Sequence, residues 1–162
     1  TLYAGPQNGG AANLLFDKPT GLHATMTCFA YDDLDAWRSV FPKEVFLQQF
    51  ALLSDKWEEG LKILEGMPPC ELLDAAEAVY VIFKSSYNQI KFIMAREEKA
   101  IETMQTIASE EVELATRLYR VMLRYPAISY EAANHYYYNR TQLMEKVLNC
   151  EYLLQNYKRR CI

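Results

Sequence analysis

The sequence has few of the features that mark membrane proteins and nucleic-acid binders. No uninterrupted apolar run of about 20 residues occurs, so we expect no membrane partner. The longest apolar stretch is broken by Glu77, Lys84, Lys91 and Arg96. Acidic residues outnumber basic ones by 21 to 17, and the basic residues are scattered rather than gathered on one face. We therefore expect no nucleic-acid partner either, because phosphate contacts require a basic surface.

Cysteine and histidine are also scarce and widely spaced. The chain has two histidines, His23 and His135, which stand far apart in the sequence. None of the four cysteines belongs to a Cys-x-x-Cys pair; they are Cys28, Cys70, Cys150 and Cys161. Structural zinc needs clustered ligands, so we predict neither a metal nor another cofactor. Isolated cysteines are typical of buried or free thiols, and their redox state and the cellular compartment stay open.

Glycine and proline divide the chain into two parts. Half of them lie within residues 1–31, which we interpret as an extended arm or a linker from an upstream domain. The remainder, residues 32–162, is predicted to be one helical domain. With 162 residues and 51% hydrophobic content, the chain is long and apolar enough to bury a core.

Helical spacing of apolar residues dominates beyond Tyr31. Asp32 or Asp33 is predicted to cap a short helix that ends at Arg38. The next helix carries an apolar stripe from Phe46 to Leu64 and ends near Gly66, because Pro68 and Pro69 follow.

Between Pro69 and Arg96 apolar residues fall on every side of a helix, which predicts a buried, central helix. Beyond Arg96 the chain is more polar, so this helix either continues as an exposed rod or breaks. Ser109 is predicted to start another helix, and Thr141 a last one. The stripe predicted for that last helix is Leu143, Met144, Val147, Leu148, Glu151 and Leu154. The prediction is an all-α fold, an antiparallel bundle of about four main helices plus a loop-rich N-terminal arm.

One candidate site is the tyrosine-rich segment Tyr130–Tyr138. Glu131 and His135 are four residues apart, so on a helical turn the carboxylate could raise the pKa of the imidazole and make it an acid or base. The aromatic rings with polar tips also suit sugar binding, and equally an interface between helices. The predicted binding residues are Trp37, Asn88, Tyr130, Glu131, Asn134, His135 and Tyr137.

Two further polar clusters have functional and structural interpretations. Four polar residues lie within the buried-looking helix: Ser85, Ser86, Asn88 and Gln89. Their side chains need hydrogen-bond partners, which a ligand, the tyrosine-rich segment or the arm could supply. Asp32 and Asp33 precede an exposed-looking Trp37 and could form an acid/base pair. The structural alternative is helix capping together with an Asp35–Arg38 surface pair.

Three segments carry a resemblance to a known group of proteins. They are "KPTGLHATMTCFAYDDLDAWRSVFPKEVFLQQF" (18–50), "FKSSYNQIKFIMAR" (83–96) and "ISYEAANHYYYNRTQLMEKVLNC" (128–150). The chain resembles the helical C-terminal region of large multidomain bacterial proteins similar to glycoside hydrolases. The resemblance implies an accessory domain that packs on an upstream barrel, which would carry the chemistry. It places no catalytic residue on this chain.

The leading hypothesis is therefore a non-catalytic accessory helical domain of a longer carbohydrate-active protein, with the upstream domain as partner. An alternative is a stand-alone module that binds a small molecule or a sugar. A third is a small hydrolase that uses Glu131 with His135, or Asp32 with Asp33.

Overall fold

A computed structural model describes residues 10–22, 32–129 and 139–160 of the chain. Within these ranges the regular structure is helical, and no strand occurs. The helices are α1 (Leu34–Trp37), α2 (Lys43–Ile63), α3 (Glu71–Glu97), α4 (Ile101–Arg124) and α5 (Arg140–Arg160), with a 3-10 turn at Pro126–Ser129. Four main helices pack against each other, which confirms the predicted all-α helical bundle.

Consecutive helices run antiparallel. Glu77 and Asp74 near the start of α3 bind Arg117 and Arg124 near the end of α4. Lys43, the first residue of α2, binds Glu97, the last residue of α3. The short links 64–70 and 98–100 thus return α3 and α4 along their predecessors, as expected for a bundle of this kind.

The first two helices begin and end as their sequences predict. Asp33 caps α1, because its side chain accepts a hydrogen bond from the amide of Asp35. Pro42 precedes the first residue of α2, and Gly66 follows the helix with a φ of 89°. Glycine adopts such a left-handed conformation without steric cost, so it marks a natural end of a helix.

Helix α3 is central, as predicted. Its side chains take part in all three clusters of the apolar core, for example Val81 in the first, Phe92 in the second and Ile90 in the third. The first and second clusters join α3 to α4, α5 and the arm, and the third joins α3 to α1 and α2. Of the two predicted outcomes beyond Arg96, the helix breaks, and α4 starts at Ile101.

The predicted start of a helix at Ser109 is wrong. Ser109 is an exposed residue inside α4, because Ile101, Met104 and Ile107 extend the apolar stripe toward the N-terminus. In the sequence, polar residues stand between these apolar residues, so the segment does not look like the start of a helix.

The start of α5 also differs from the prediction. Asn139, rather than Thr141, caps the helix: its side-chain oxygen accepts from the Gln142 amide at 3.0 Å. The Gln142 side chain accepts in return from the Asn139 amide at 2.8 Å. This reciprocal pair is a capping box.

The stripe predicted for α5 is partly wrong as well. Met144 and Leu148 are exposed, whereas Leu143 is buried as expected. The residues that face the core are Leu143, Lys146, Cys150, Leu153 and Tyr157. Because both sides of this helix carry apolar residues, the spacing alone did not fix which side is buried. None of the described helices combines the length and apolarity needed to cross a membrane.

Candidate functional site: a buried polar cluster and the arm above it

The main polar feature inside the described part of the bundle is the carboxylate of Glu111 on α4, which is 1% exposed. It accepts hydrogen bonds from Ser85 Oγ at 2.6 Å and from Asn88 Nδ2 at 2.8 Å, both on α3. From α5, the ammonium of Lys146 lies 3.1 Å from Glu111 Oε2. Three helices therefore meet at one carboxylate.

Lys146 is completely buried, and it connects this cluster to the N-terminal arm. Besides the ion pair with Glu111, its Nζ donates to the backbone carbonyl of Asn13. A buried ion pair is tolerated only when further hydrogen bonds satisfy its polar atoms, and this arrangement meets that condition. The ammonium and the carboxylate neutralise each other, so the cluster adds no net charge to the core.

One acceptor in this cluster is unused within the described residues, the side-chain oxygen of Asn88. A buried amide oxygen without a donor carries a free-energy cost, so Asn88 is the one member of this cluster whose hydrogen bonding is incomplete within the described ranges. No group of three or more histidine, cysteine, aspartate or glutamate side chains in the described ranges is arranged to hold a metal ion.

Side chains of α3 and α5 bind the backbone of the arm at Leu15 and Phe16, next to this cluster. Asn149 makes two bonds to one residue: its Oδ1 accepts from the Leu15 amide at 2.8 Å and its Nδ2 donates to the Leu15 carbonyl at 2.9 Å. Arg96 Nη1 donates to the Phe16 carbonyl at 2.9 Å. Ala11 and Leu15 are both 1% exposed, so residues 11–15 of the arm contribute to the core.

A second buried ion pair holds the arm farther along. Asp32 accepts from the amide and the hydroxyl of Thr20, each at 2.8 Å, and its Oδ2 lies 3.2 Å from Arg96 Nη1. Asp33, the other half of the predicted acid/base pair, caps α1. The Asp35–Arg38 pair is present at 2.6 Å, so the structural interpretation of this segment is confirmed.

Of the predicted binding residues, only Trp37 and Asn88 lie within the described ranges, and they belong to different clusters. Trp37 is 8% exposed and makes edge-to-face contacts with Phe46 and Phe50, so the expectation of an exposed ring is wrong. Asn88 binds Glu111 instead. Tyr130, Glu131, Asn134, His135 and Tyr137 lie outside the described residues, and their grouping stays a prediction.

Sequence reasoning missed Glu111, Lys146, Asn149 and the carbonyl of Asn13. Glu111 sits between Ala108 and Ala115 in the apolar stripe of α4, and this was its one visible signal. A charged residue on the inward side of a stripe indicates a buried pair. Neither the partner nor the backbone bond can be read from the spacing.

Cys150 lies one turn beyond Lys146 on α5 and is fully buried. Burial raises the pKa of its thiol to about 12, against the counteracting positive charge of Lys146. A thiol held in this protonated form is a poor nucleophile, since the thiolate is the reactive species.

A separate surface groove of about 300 Å³ lies between α2, α3 and α4. Its walls include Asp55, Glu58, Tyr80, Glu113 and Arg117. The Arg117 guanidinium lies over the Tyr80 ring, 4.9 Å from its centre. Burial, followed by the nearby charge of Glu58, raises the pKa of Tyr80.

Comparison with family models, curated proteins and solved structures gives no match to this chain.

Proposed function

We propose that this chain is a non-catalytic accessory helical domain of a longer carbohydrate-active protein and that it packs on a neighbouring domain. The observation that carries the proposal is the exposed face of α5. Met144, Leu148 and Tyr152 recur every four residues along this face and are 55%, 68% and 64% exposed. Such spacing places them in one apolar stripe, which is the type of surface that a partner covers.

The fixed arm supports the same proposal. Hydrogen bonds from Asn149, Arg96 and Asp32 hold residues 15–20 against the bundle, so a domain attached before the arm would have a defined orientation. The bonds of Glu111 and Lys146 to other groups of the protein support a structural use of the polar core. The carbohydrate-active context has its support in the resemblance of three sequence segments alone.

The test compares the isolated chain with the protein encoded by its complete reading frame. We expect amide hydrogen exchange across Met144–Tyr152 to slow in the longer protein, because covered helix faces open less often. The Met144→Ser/Leu148→Ser variant should lose that protection. Leu72→Ser, at an equally exposed apolar position on α3, is the matched control and should retain it. A reading frame without a neighbouring domain, or equal exchange in both proteins, would overturn the proposal.

A small-molecule or sugar-binding module is the second candidate function, and the groove beside Tyr80 favours it. A phenol and several carboxylates around a cavity of about 300 Å³ can accept and donate hydrogen bonds to sugar hydroxyls. Calorimetric titration with mono- and disaccharides tests this candidate. Binding that weakens in Glu113→Gln but not in Glu145→Gln, an exposed position on α5, would support it, and no heat from any sugar would count against it.

A further inference from the structure

The bundle holds residues 13–16 of the arm through their backbone. Lys146 donates to the Asn13 carbonyl, Asn149 binds both the amide and the carbonyl of Leu15, and Arg96 donates to the Phe16 carbonyl. Every peptide offers the same amides and carbonyls, so these four bonds do not depend on which side chains the segment carries.

Two side chains of the arm supply the selectivity that the backbone bonds lack. Ala11 belongs to the apolar cluster that contains Val81, Leu118 and Leu143, and because it is 1% exposed a larger side chain would meet packed neighbours. Leu15 packs with Phe92, Cys150 and Leu153. The surface between α3 and α5 therefore fits a segment with a small residue and, four positions later, a leucine.

The surface also needs an occupant. Without residues 13–16, the ammonium of Lys146 would lose its carbonyl acceptor, and the Asn149 amide would lose both of its partners. Polar groups left without partners beside an apolar surface are unfavourable, so a peptide backbone that fills the groove stabilises it.

We propose that this groove is a peptide-binding site and that the arm of a second copy of this chain can occupy it in place of the chain's own arm. The occupant follows from the fit, because residues 11–16 have the required side chains and backbone partners. Exchange in both directions pairs two copies in a closed dimer with the same contacts as the monomer. The inference is independent of the accessory-domain function.

The chain's own arm competes with the incoming one. A tethered segment has an effective concentration in the millimolar range, so binding in trans becomes visible when the tethered arm is weakened. The Leu15→Ser substitution removes its apolar anchor and leaves the groove intact.

The probe is a fluorescent synthetic peptide of residues 10–22, and its anisotropy is measured with the full chain. We expect the Leu15→Ser chain to bind the peptide at least about tenfold more tightly than the wild-type chain. Adding Asn149→Ala should abolish that gain. Adding Gln155→Ala, an exposed position on the same helix, should preserve it. A peptide with serine in place of Leu15 should not bind.

Circular dichroism first verifies that each variant is folded, and Leu15→Ala replaces Leu15→Ser if the latter unfolds. Sedimentation of the wild-type chain at rising concentration should show a dimer that excess peptide dissociates. Equal peptide binding with and without Asn149, or no binding to the weakened chain, would overturn the binding site. If the peptide binds but the wild-type chain forms no dimer at high concentration, the groove binds peptides and the proposal that a second copy occupies it is wrong.

Discussion

The ammonium of Lys146 lies 3.1 Å from the carboxylate of Glu111, with both side chains sealed from solvent. This pair links α4 to α5, while Ser85 and Asn88 link the same carboxylate to α3.

Removing one member of the pair should destabilise the protein severely. We expect Glu111→Gln to lower the free energy of unfolding by about 3–5 kcal/mol, because Lys146 would be left buried without its carboxylate partner. The double variant Glu111→Gln/Lys146→Met should be more stable than the sum of the single effects predicts, since no unpaired charge remains. Urea denaturation measures Glu111→Gln, Lys146→Met and the double variant. Glu113→Gln, at an exposed position two residues away, should change stability by less than about 0.5 kcal/mol, and additive effects in the double variant would contradict the pairing.

Arg96 provides a second test, because it joins Asp32 and the Phe16 carbonyl. In Arg96→Met the buried carboxylate of Asp32 keeps its Thr20 donors but loses its cation, so we expect a loss of about 3 kcal/mol. The amides of Leu15 and Thr20 should exchange faster as the arm loosens. Arg120→Met, at an exposed position on α4, is the control. Unchanged exchange at Thr20 in Arg96→Met would show that the arm does not depend on this contact.

The end of α3 contains a conformational cost that a substitution can relieve. Lys99 has a φ of 58°, and the amide of Ala100 donates to the Ala95 carbonyl at 2.8 Å, as in a Schellman motif. Glycine is preferred at this left-handed position, so Lys99→Gly should raise the melting temperature and stabilise the protein by about 0.5–1 kcal/mol. Glu98→Gly, one residue earlier with a φ of −80°, should destabilise it instead. If both variants melt lower than wild type, the cost assigned to Lys99 is wrong.

Cys150 should be inert in the folded protein, whereas the exposed Cys70 should react. Burial raises the pKa of the Cys150 thiol to about 12, whereas the same thiol in the unfolded chain has a pKa near the ordinary value of 9.0. At a pH between these two values the thiol is protonated in the folded protein and ionised in the unfolded chain. Between these values the unfolded state binds fewer protons, so stability falls as pH rises, by at most about 1.4 kcal/mol per pH unit. Alkylation at pH 8 followed by peptide mapping distinguishes the two thiols. Equal labelling of both would refute the burial of Cys150, and Cys150→Ser should flatten the alkaline loss of stability.

The sequence predicted the helical bundle because its strongest signals are local. The stripe from Phe46 to Leu64 and the glycine and prolines that follow it locate α2 to within a few residues. The cap at Asp33 is equally local, since it depends on side chains and amides within one turn. Interactions of this kind are encoded in the spacing of neighbouring residues.

The polar cluster could not be predicted in the same way. Glu111 finds its partners on α3 and α5, and their meeting depends on how three helices rotate about their axes. For α5 the sequence leaves this rotation open, because Met144 and Leu148 are as apolar as Leu143 and Leu153. The side that carries Lys146 faces inward, where Glu111 and the Asn13 carbonyl bind its ammonium. Only tertiary structure specifies this choice.

The positions of the two tryptophans determine what optical measurements can detect. Trp37 lies against Phe46 and Phe50, and Trp57 donates to the Ala76 carbonyl at 2.8 Å, so both indoles lie on the side of the bundle formed by α1, α2 and α3. Tryptophan fluorescence therefore monitors that side and does not report on α5, whose aromatic residues are Tyr152 and Tyr157. Release of the arm from Asn149 would leave the emission spectrum almost unchanged, and a reporter dye or an engineered indole on α5 is needed to follow it.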